Sequence, residues 1–163
     1  MTILRRIATL NFRELVVLCV IFLRRPFFLL PTYKATHQAV EICNRLYGEL
    51  HHEDNRTNAF RHALWNYLIC KYCLNIAGSQ EKSVSWSREI TDLHERLSPN
   101  EALARRMDLH NNRIGREIFL RFSGSEEQVV LFLQQKTREA IQVVSLEEIE
   151  EERENLVFIE KLK

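Results

Sequence analysis

Glycine and proline are scarce in this sequence, and their scarcity limits the folds open to it. Only four glycines and three prolines occur among 163 residues. Sandwiches and barrels need turns rich in these residues at short intervals, so both classes are disfavoured. The length suffices to bury one sizeable hydrophobic core but not two. The sequence therefore predicts a single compact all-α domain of about six to seven helices.

Apolar residues at helical spacing, together with capping signals, indicate where these helices lie. We expect helices over about 11–23, 33–47, 57–77, 80–97, 99–122 and 126–140, and a short acidic helix after Ser145. Ser98 and Ser125 each begin a capping box, which Glu101 and Gln128 complete. The apolar run 156–159 predicts a short C-terminal strand, for which 141–144 is a candidate partner in a strand pair or hairpin.

The single domain, 1–163, divides into three parts by composition. Residues 1–32 are basic and apolar, residues 33–140 form the helical core with the polar motifs, and residues 141–163 are acidic. The apolar run 15–23 is much shorter than the roughly 20 residues that span a bilayer, and no signal-peptide cleavage site follows it. We therefore expect a cytoplasmic protein, with residues 1–30 as a candidate contact for an anionic membrane surface.

The first polar motif is the segment N-A-F-R-H-A-L-W-N at 58–66. On a helix, five of its polar or amphipathic side chains fall within one arc of about 140°. They are Asn58, Arg61, His62, Trp65 and Asn66. The same arc becomes apolar one turn later, so this face is predicted to point toward the interior or the floor of a cleft.

The second polar motif is the segment M-D-L-H-N-N-R-I-G-R at 107–116. Asn111 is predicted to face inward, with Asp108 and Asn112 beside it, while Gly115 permits close approach of a backbone or ligand. Asp108 is a natural counter-ion for Arg61 or acceptor for His62. Helical geometry is expected to keep three neighbours, His110, Arg113 and Arg116, away from this centre.

A third helix contributes a histidine to the same centre. His94 borders the apolar stripe of helix 80–97 and is predicted to reach the other two motifs, with Glu95 pointing away. The predicted catalytic residues are therefore His62, Asp108, Arg61 and His94. The predicted substrate-binding residues are Asn58, Asn66, Asn111, Asn112, Trp65 and Gly115.

Two hydrolytic chemistries can be written for these side chains. A divalent metal such as zinc could be held by His62, His94 and Asp108, with Asp54 or one of His51 and His52 from the preceding loop. No diagnostic metal-binding spacing is present. Without a metal, Asp108 would polarise His62, Arg61 would hold a phosphate or carboxylate, and Asn66 and Asn111 would donate to a developing oxyanion.

The competing interpretation is a polar network that only fixes how the helices pack. It predicts a non-enzymatic helical binding module, membrane-peripheral through its N-terminal segment. Both interpretations are compatible with a small anionic ligand. Nucleic-acid binding is not indicated, because no predicted helix carries a stripe of basic residues.

The two motifs resemble those of an uncharacterised bacterial domain family, in which N-A-x-R-H-A-x-W-N, a His-Glu pair and D-x-H-N-N-x-x-G-R follow in this order. His94-Glu95 matches the middle pair, and the resemblance covers about residues 33–122. It implies a bacterial origin and a shared site at the polar positions. Similar polar helical cores occur in bacterial toxin or effector domains, which are a third functional option by analogy.

Overall fold

The computed structural model describes residues 20–97 and 101–160, and helices predominate throughout these ranges. They are α1 (Leu29–Tyr47), α2 (Arg56–Ala77), α3 (Gln80–Leu97), α4 (Ala102–Arg121), α5 (Glu126–Arg138) and α6 (Leu146–Glu151). Two 3-10 helices, Pro26–Phe28 and Gly48–His52, flank α1. The predicted all-α fold is confirmed.

The helix ends follow local chemistry. The side chain of Asn55 caps α2 by accepting from the backbone N–H groups of Thr57 and Asn58, and Gly78, with φ of +76°, ends the helix. The predicted capping box of Ser125 and Gln128 begins α5. These ends match the predictions because each depends on a few adjacent residues.

Two predicted boundaries differ from the structure. Helix α1 begins at Leu29 rather than near residue 33, because Pro31 falls in the first turn, where its missing N–H is not needed. Helix α4 begins at Ala102, and its N-cap Glu101 makes no side-chain capping bond. The predicted cap at Ser98 and most of the predicted helix 11–23 lie outside the described residues.

Helix α2 is the centre of the fold and packs against α1, α3, α4 and α5. Phe60, Leu64 and Leu68 are completely buried within it. Its contact with α4 is especially close, because a Cβ atom on Gly115 would overlap the backbone carbonyl of Ala63. The polar motifs of α2 and α4 therefore face each other across a short distance.

A parallel pair of two-residue strands, β1 (Ile141–Gln142) and β2 (Val157–Phe158), closes the C-terminal end. Ile141 N–H donates to Leu156 O at 2.9 Å, and Val143 N–H donates to Phe158 O at 2.9 Å. The predicted strand is confirmed, and its connection through α6 makes it part of a parallel pair rather than a hairpin.

The start of the described chain presents apolar side chains to solvent. Leu23, Phe27 and Leu30 are 79%, 77% and 59% exposed. No helix within 20–97 or 101–160 combines the length and hydrophobicity needed to cross a membrane. Most of the segment predicted to contact a membrane, residues 1–19, lies outside the described residues.

Candidate functional site

Three helices each contribute one ionisable side chain to a buried polar centre. His62 comes from α2, Glu95 from α3 and Asp108 from α4, and one donor atom of each lies within 4.8 Å of the others. His62 Nε2 is 3.2 Å from Asp108 Oδ1, and His62 Nδ1 is 3.6 Å from Glu95 Oε1. All three residues are at most 2% exposed. We call this set the His62 centre.

The side-chain amide of Asn66 has a defined orientation. Its Oδ1 accepts from Ser87 Oγ at 2.9 Å, from Thr91 Oγ1 at 3.1 Å and from Arg116 Nη1 at 2.8 Å. Its Nδ2 therefore points the other way, and donates to Asn112 Oδ1 at 2.6 Å and to His62 O at 3.0 Å. Three donors on one oxygen fix which end of the amide faces the His62 centre.

This orientation sets the tautomer of His62. Asn112 Nδ2 donates to Glu95 Oε1 at 3.3 Å, so Asn112 Oδ1 is the atom that lies 3.0 Å from His62 Nδ1. An amide oxygen only accepts, so Nδ1 carries the hydrogen and donates it. In a neutral imidazole the lone pair is then on Nε2, on the side of Asp108.

Arg61 occupies the Nε2 side of the imidazole. Its Nη2 is 3.0 Å from His62 Nε2, and the side chain is only partly buried. Its charge also contributes to lowering the pKa of His51 and of His52, for both of which burial is the main cause. Arg61 therefore connects the His62 centre to the 3-10 helix that precedes α2.

The electrostatics of the His62 centre favour a cation. Two carboxylates, those of Glu95 and Asp108, lie beside a single imidazole in an environment with almost no solvent. Buried like charges repel each other strongly unless positive charge lies between or beside them. Arg61, a second proton on His62 and a bound metal ion can each supply that charge.

The structure brings five of the predicted site residues together: Arg61, His62, Asn66, Asp108 and Asn112. Asn58 is buried one turn earlier on α2, and within the described residues its Oδ1 accepts no hydrogen bond. Trp65 is half-buried beside His62 and donates from Nε1 to Thr36 Oγ1 at 2.9 Å. Asp54, the loop candidate for a metal ligand, is not in the group of close donor atoms.

Helix α3 presents a different residue from the one predicted. His94 is half-buried and packs edge-on against Trp65, with ring centroids 5.1 Å apart, and it is not part of the close donor group. The expectation that Glu95 points away is wrong, because Glu95 is buried and contacts the His62 centre. A polar stripe at four-residue intervals carried this signal: Ser87, Thr91 and Glu95.

Helix α4 also departs from the prediction at two positions, Asn111 and Arg116. Asn111, expected at the site, instead bonds the backbone of Val157, with Val157 N–H to Oδ1 at 3.0 Å and Nδ2 to Val157 O at 2.8 Å. Arg116, expected to be excluded, reaches Asn66 because Asp108, Asn112 and Arg116 repeat every four residues along one side. At Gly115 the predicted close approach of a backbone is found, since the backbone of Ala63 fills the space beside it where a substrate was the other expectation.

The other two residues expected to lie away from the centre do so. His110 Nε2 donates to Asn155 O at 2.8 Å, and Arg113 pairs with Glu117 at 2.6 Å. Both therefore face the C-terminal segment and solvent rather than His62.

Comparison with protein families gives one match of interest. The model of the family described as "Domain of unknown function (DUF6973)" matches residues 19–141, which include α1 to α5 and every residue of the His62 centre. A search of the curated proteins found no match.

Proposed function

The chain belongs to the DUF6973 family, and from the geometry of the His62 centre we propose that it is a metal-dependent hydrolase of an anionic, phosphate-bearing substrate. The observation that carries this proposal is the arrangement of one imidazole and two carboxylates. They come from three helices, are at most 2% exposed, and have donor atoms within 4.8 Å of one another.

The ligand set suits a divalent cation. Imidazole and carboxylate are ligands for zinc and manganese, and three protein ligands with an open position are typical of catalytic sites. The Nδ1–H of His62 is held by Asn112 Oδ1 at 3.0 Å, which leaves Nε2 as the ligand atom once a metal takes the place of Arg61 Nη2 beside it. A hydrogen bond of this kind orients a metal-binding imidazole. The metal would also neutralise the two buried carboxylates.

Each neighbouring residue then has a chemical role. A metal ion held by His62, Glu95 and Asp108 would supply an activated water near neutral pH. Arg61, whose Nη2 lies 3.0 Å from His62 Nε2, would be displaced from that nitrogen by the metal and would then bind an anionic group of the substrate beside it. Asn66 and Asn112 are positioning residues, because they act on the metal through His62.

A metal titration tests the proposal directly. Metal-free wild-type protein would be titrated with zinc and manganese by calorimetry, and so would the variants Glu95→Gln and Asp108→Asn. The control variant is Glu89→Gln, which changes an exposed acid on α3, the helix of Glu95. We expect one ion per chain in the wild type and in the control, and an affinity at least about 100-fold lower in the other two variants. Equal affinity in all four proteins would overturn the metal site.

Hydrolysis is tested separately on a panel of phosphate monoesters and diesters. We expect activity only in the metal-loaded wild type and the Glu89→Gln control, with Arg61→Gln raising KM for the anionic substrate. Circular dichroism of each variant establishes whether it remains folded. Folded, metal-bound protein without activity across the panel would leave the metal site standing and reject the hydrolase proposal for these substrates.

A second candidate is a non-enzymatic binding module with a structural polar core. The exposed apolar side chains Leu23, Phe27 and Leu30, with Arg24 next to them, favour contact with an anionic membrane. Sedimentation with vesicles containing phosphatidylserine tests it, using Phe27→Ser against the exposed control Leu131→Ser on α5. Loss of binding in Phe27→Ser alone would support this candidate, and absence of binding by the wild type would reject it.

A further inference from the structure

A groove lies between α3, α4 and the segment that contains α6, with a volume of about 720 Å³. Val84 and Asp92 line one side, His110 and Arg116 line the floor, and Glu152 and Arg153 line the other side. Its described lining includes none of the three residues of the His62 centre. We call it the Arg116 groove, because this residue is its most unusual feature.

Arg116 is a buried cation whose hydrogen-bond partners are neutral. It is 8% exposed, and its Nη1 donates to Asn66 Oδ1 at 2.8 Å and to Thr91 Oγ1 at 3.3 Å. In the described part of the chain, no carboxylate forms an ion pair with it, and its Nε and Nη2 make no hydrogen bond. Burial lowers the pKa of Arg116, and the charge of Asp92 offsets this only in part.

The acidic residues of the groove are already engaged. Three form ion pairs with arginines of the groove: Asp92 with Arg88 at 3.5 Å, Glu117 with Arg113 at 2.6 Å and Glu150 with Arg106 at 3.0 Å. The fourth, Glu152, accepts through Oε1 from the backbone N–H groups of residues 153, 154 and 155. None of these carboxylates therefore pairs directly with Arg116, and Asp92 acts on it only at a distance.

His110 does not add a charge to the groove. Its Nε2 donates to Asn155 O at 2.8 Å, and burial lowers its pKa, which favours the neutral ring. Arg153, in contrast, is exposed at the rim, and in the described residues its side chain forms no ion pair. Two guanidinium groups thus lack a carboxylate partner, one at the floor and one at the rim.

We infer that the Arg116 groove binds a phosphate-type oxyanion, held by the guanidinium groups of Arg116 and Arg153. A buried charge that is not paired with an opposite charge costs free energy. A bound dianion would remove that cost and would accept hydrogen bonds from the remaining N–H groups of Arg116. The planar, multiply donating guanidinium is the side chain best matched to phosphate geometry. This site is separate from the proposed metal chemistry and does not depend on it.

The groove is also connected to the His62 centre by hydrogen bonds. Arg116 Nη1 donates to Asn66 Oδ1, and Asn66 Nδ2 donates to Asn112 Oδ1. The same Oδ1 accepts from His62 Nδ1. An anion that accepts hydrogen bonds from Arg116 Nε and Nη2 would restrict the position of this guanidinium, which begins the series of hydrogen bonds. Binding in the groove should therefore change the environment of His62 without touching it.

The test is a titration of the full chain with inorganic phosphate at constant ionic strength, followed by calorimetry and by NMR of the arginine Nε–H groups. We expect saturable binding and a shift of the Arg116 Nε–H signal. Arg153→Gln, an exposed change that leaves the core intact, should weaken binding about fivefold. Arg116→Lys should weaken it at least about tenfold, since lysine lacks the planar fork.

The control is Arg45→Gln, which removes the same charge from an exposed position on α1 outside the groove. It should bind phosphate like the wild type. Equal weakening in Arg45→Gln and Arg153→Gln would indicate only a general charge effect and would overturn the inference. So would the absence of a shift in the Arg116 signal, even if Arg116→Lys proved unstable.

Discussion

Asn111 and Asn112 are neighbours on α4, and both are completely buried, yet their surroundings differ in kind. Within residues 20–97 and 101–160, the side chain of Asn111 bonds only the backbone of Val157, through both ends of its amide. Asn112 lies between His62 and Glu95, which are both ionisable. A backbone partner cannot take up a proton or bind a metal, so the partner decides that Asn111 is structural and Asn112 belongs to the candidate site.

The largest effect is expected from Asn111→Leu, which keeps the size of the side chain and removes both hydrogen bonds. Val157 would be left with a buried N–H and a buried C=O without partners, at about 2 kcal/mol each. We expect the free energy of unfolding to fall by about 4 kcal/mol in urea titrations. A loss below about 1 kcal/mol would contradict the structural role of Asn111.

Gly115→Ala should damage both regions at once, because this residue sets the distance between α2 and α4. The added methyl group would overlap the carbonyl of Ala63. We expect a loss of about 3 kcal/mol in unfolding free energy, despite the better helix propensity of alanine. Gly124→Ala is the comparison variant, since there a new Cβ meets only the side chains of Phe122 and Gln128, and we expect at most the loss of the capping box that Gln128 completes, about 1 kcal/mol. Equal stability of the two variants would disprove the close contact.

Asn112→Leu can be compared directly with Asn111→Leu, because the same substitution is made at the next residue of α4. The bonds from Asn112 to His62 Nδ1 and to Glu95 Oε1 are lost. Those two atoms lie only 3.6 Å apart and can bond each other, and Asn66 Nδ2 keeps its bond to His62 O at 3.0 Å, so we expect a loss of stability of about 2 kcal/mol. Metal affinity should fall tenfold to about 100-fold, because His62 loses the group that orients it. Calorimetric titration of both leucine variants measures this. If Asn111→Leu weakens metal binding as much as Asn112→Leu does, the distinction between a structural Asn111 and a site residue Asn112 is wrong.

The smallest effect concerns pH and a second buried histidine. His51 Nε2 lies 2.8 Å from Asn44 Oδ1, and burial, together with the charges of His52 and Arg61, lowers the pKa of His51 from 6.5 to about 4. Protons therefore bind preferentially to the unfolded chain. The stabilisation is complete above pH 6.5 and is lost as the pH falls toward 4.

Between pH 7 and pH 5.5 this linkage should cost about 1 kcal/mol of unfolding free energy. His51→Gln removes the titrating group, so its stability should vary less over the same range. Urea unfolding at several pH values measures both proteins. An unchanged pH dependence in His51→Gln would assign the acid sensitivity to other groups, those of the His62 centre included.

The helices were largely predictable from the sequence because their ends are local. Asn55, Gly78 and the capping box of Ser125 each determine a boundary through a few adjacent residues. The direction of the strand pair was not predictable. Whether β2 runs parallel or antiparallel to β1 depends on the path that the chain takes through α6. No short sequence pattern encodes that path.

The candidate site was predictable in its residue types but not in its membership. His62 and Asp108 stand together as the spacing indicated. Whether His94 or Glu95 faces them depends on the rotation of α3 about its axis, over the roughly 100° that separates successive residues, and packing along the whole helix sets that rotation. Arg116 was missed for a related reason, because a long side chain reaches a centre from a position that the helical angle alone excludes.

The amide of Asn111 has one further consequence, for the association of this chain with others. Strand β2 is hydrogen-bonded to β1 on one side, and on the other side Asn111 occupies the N–H and C=O of Val157. An open strand edge is a template for intermolecular pairing and aggregation. Here a single side chain takes the place of a neighbouring strand at Val157, so this edge of β2 is closed to pairing with a second molecule.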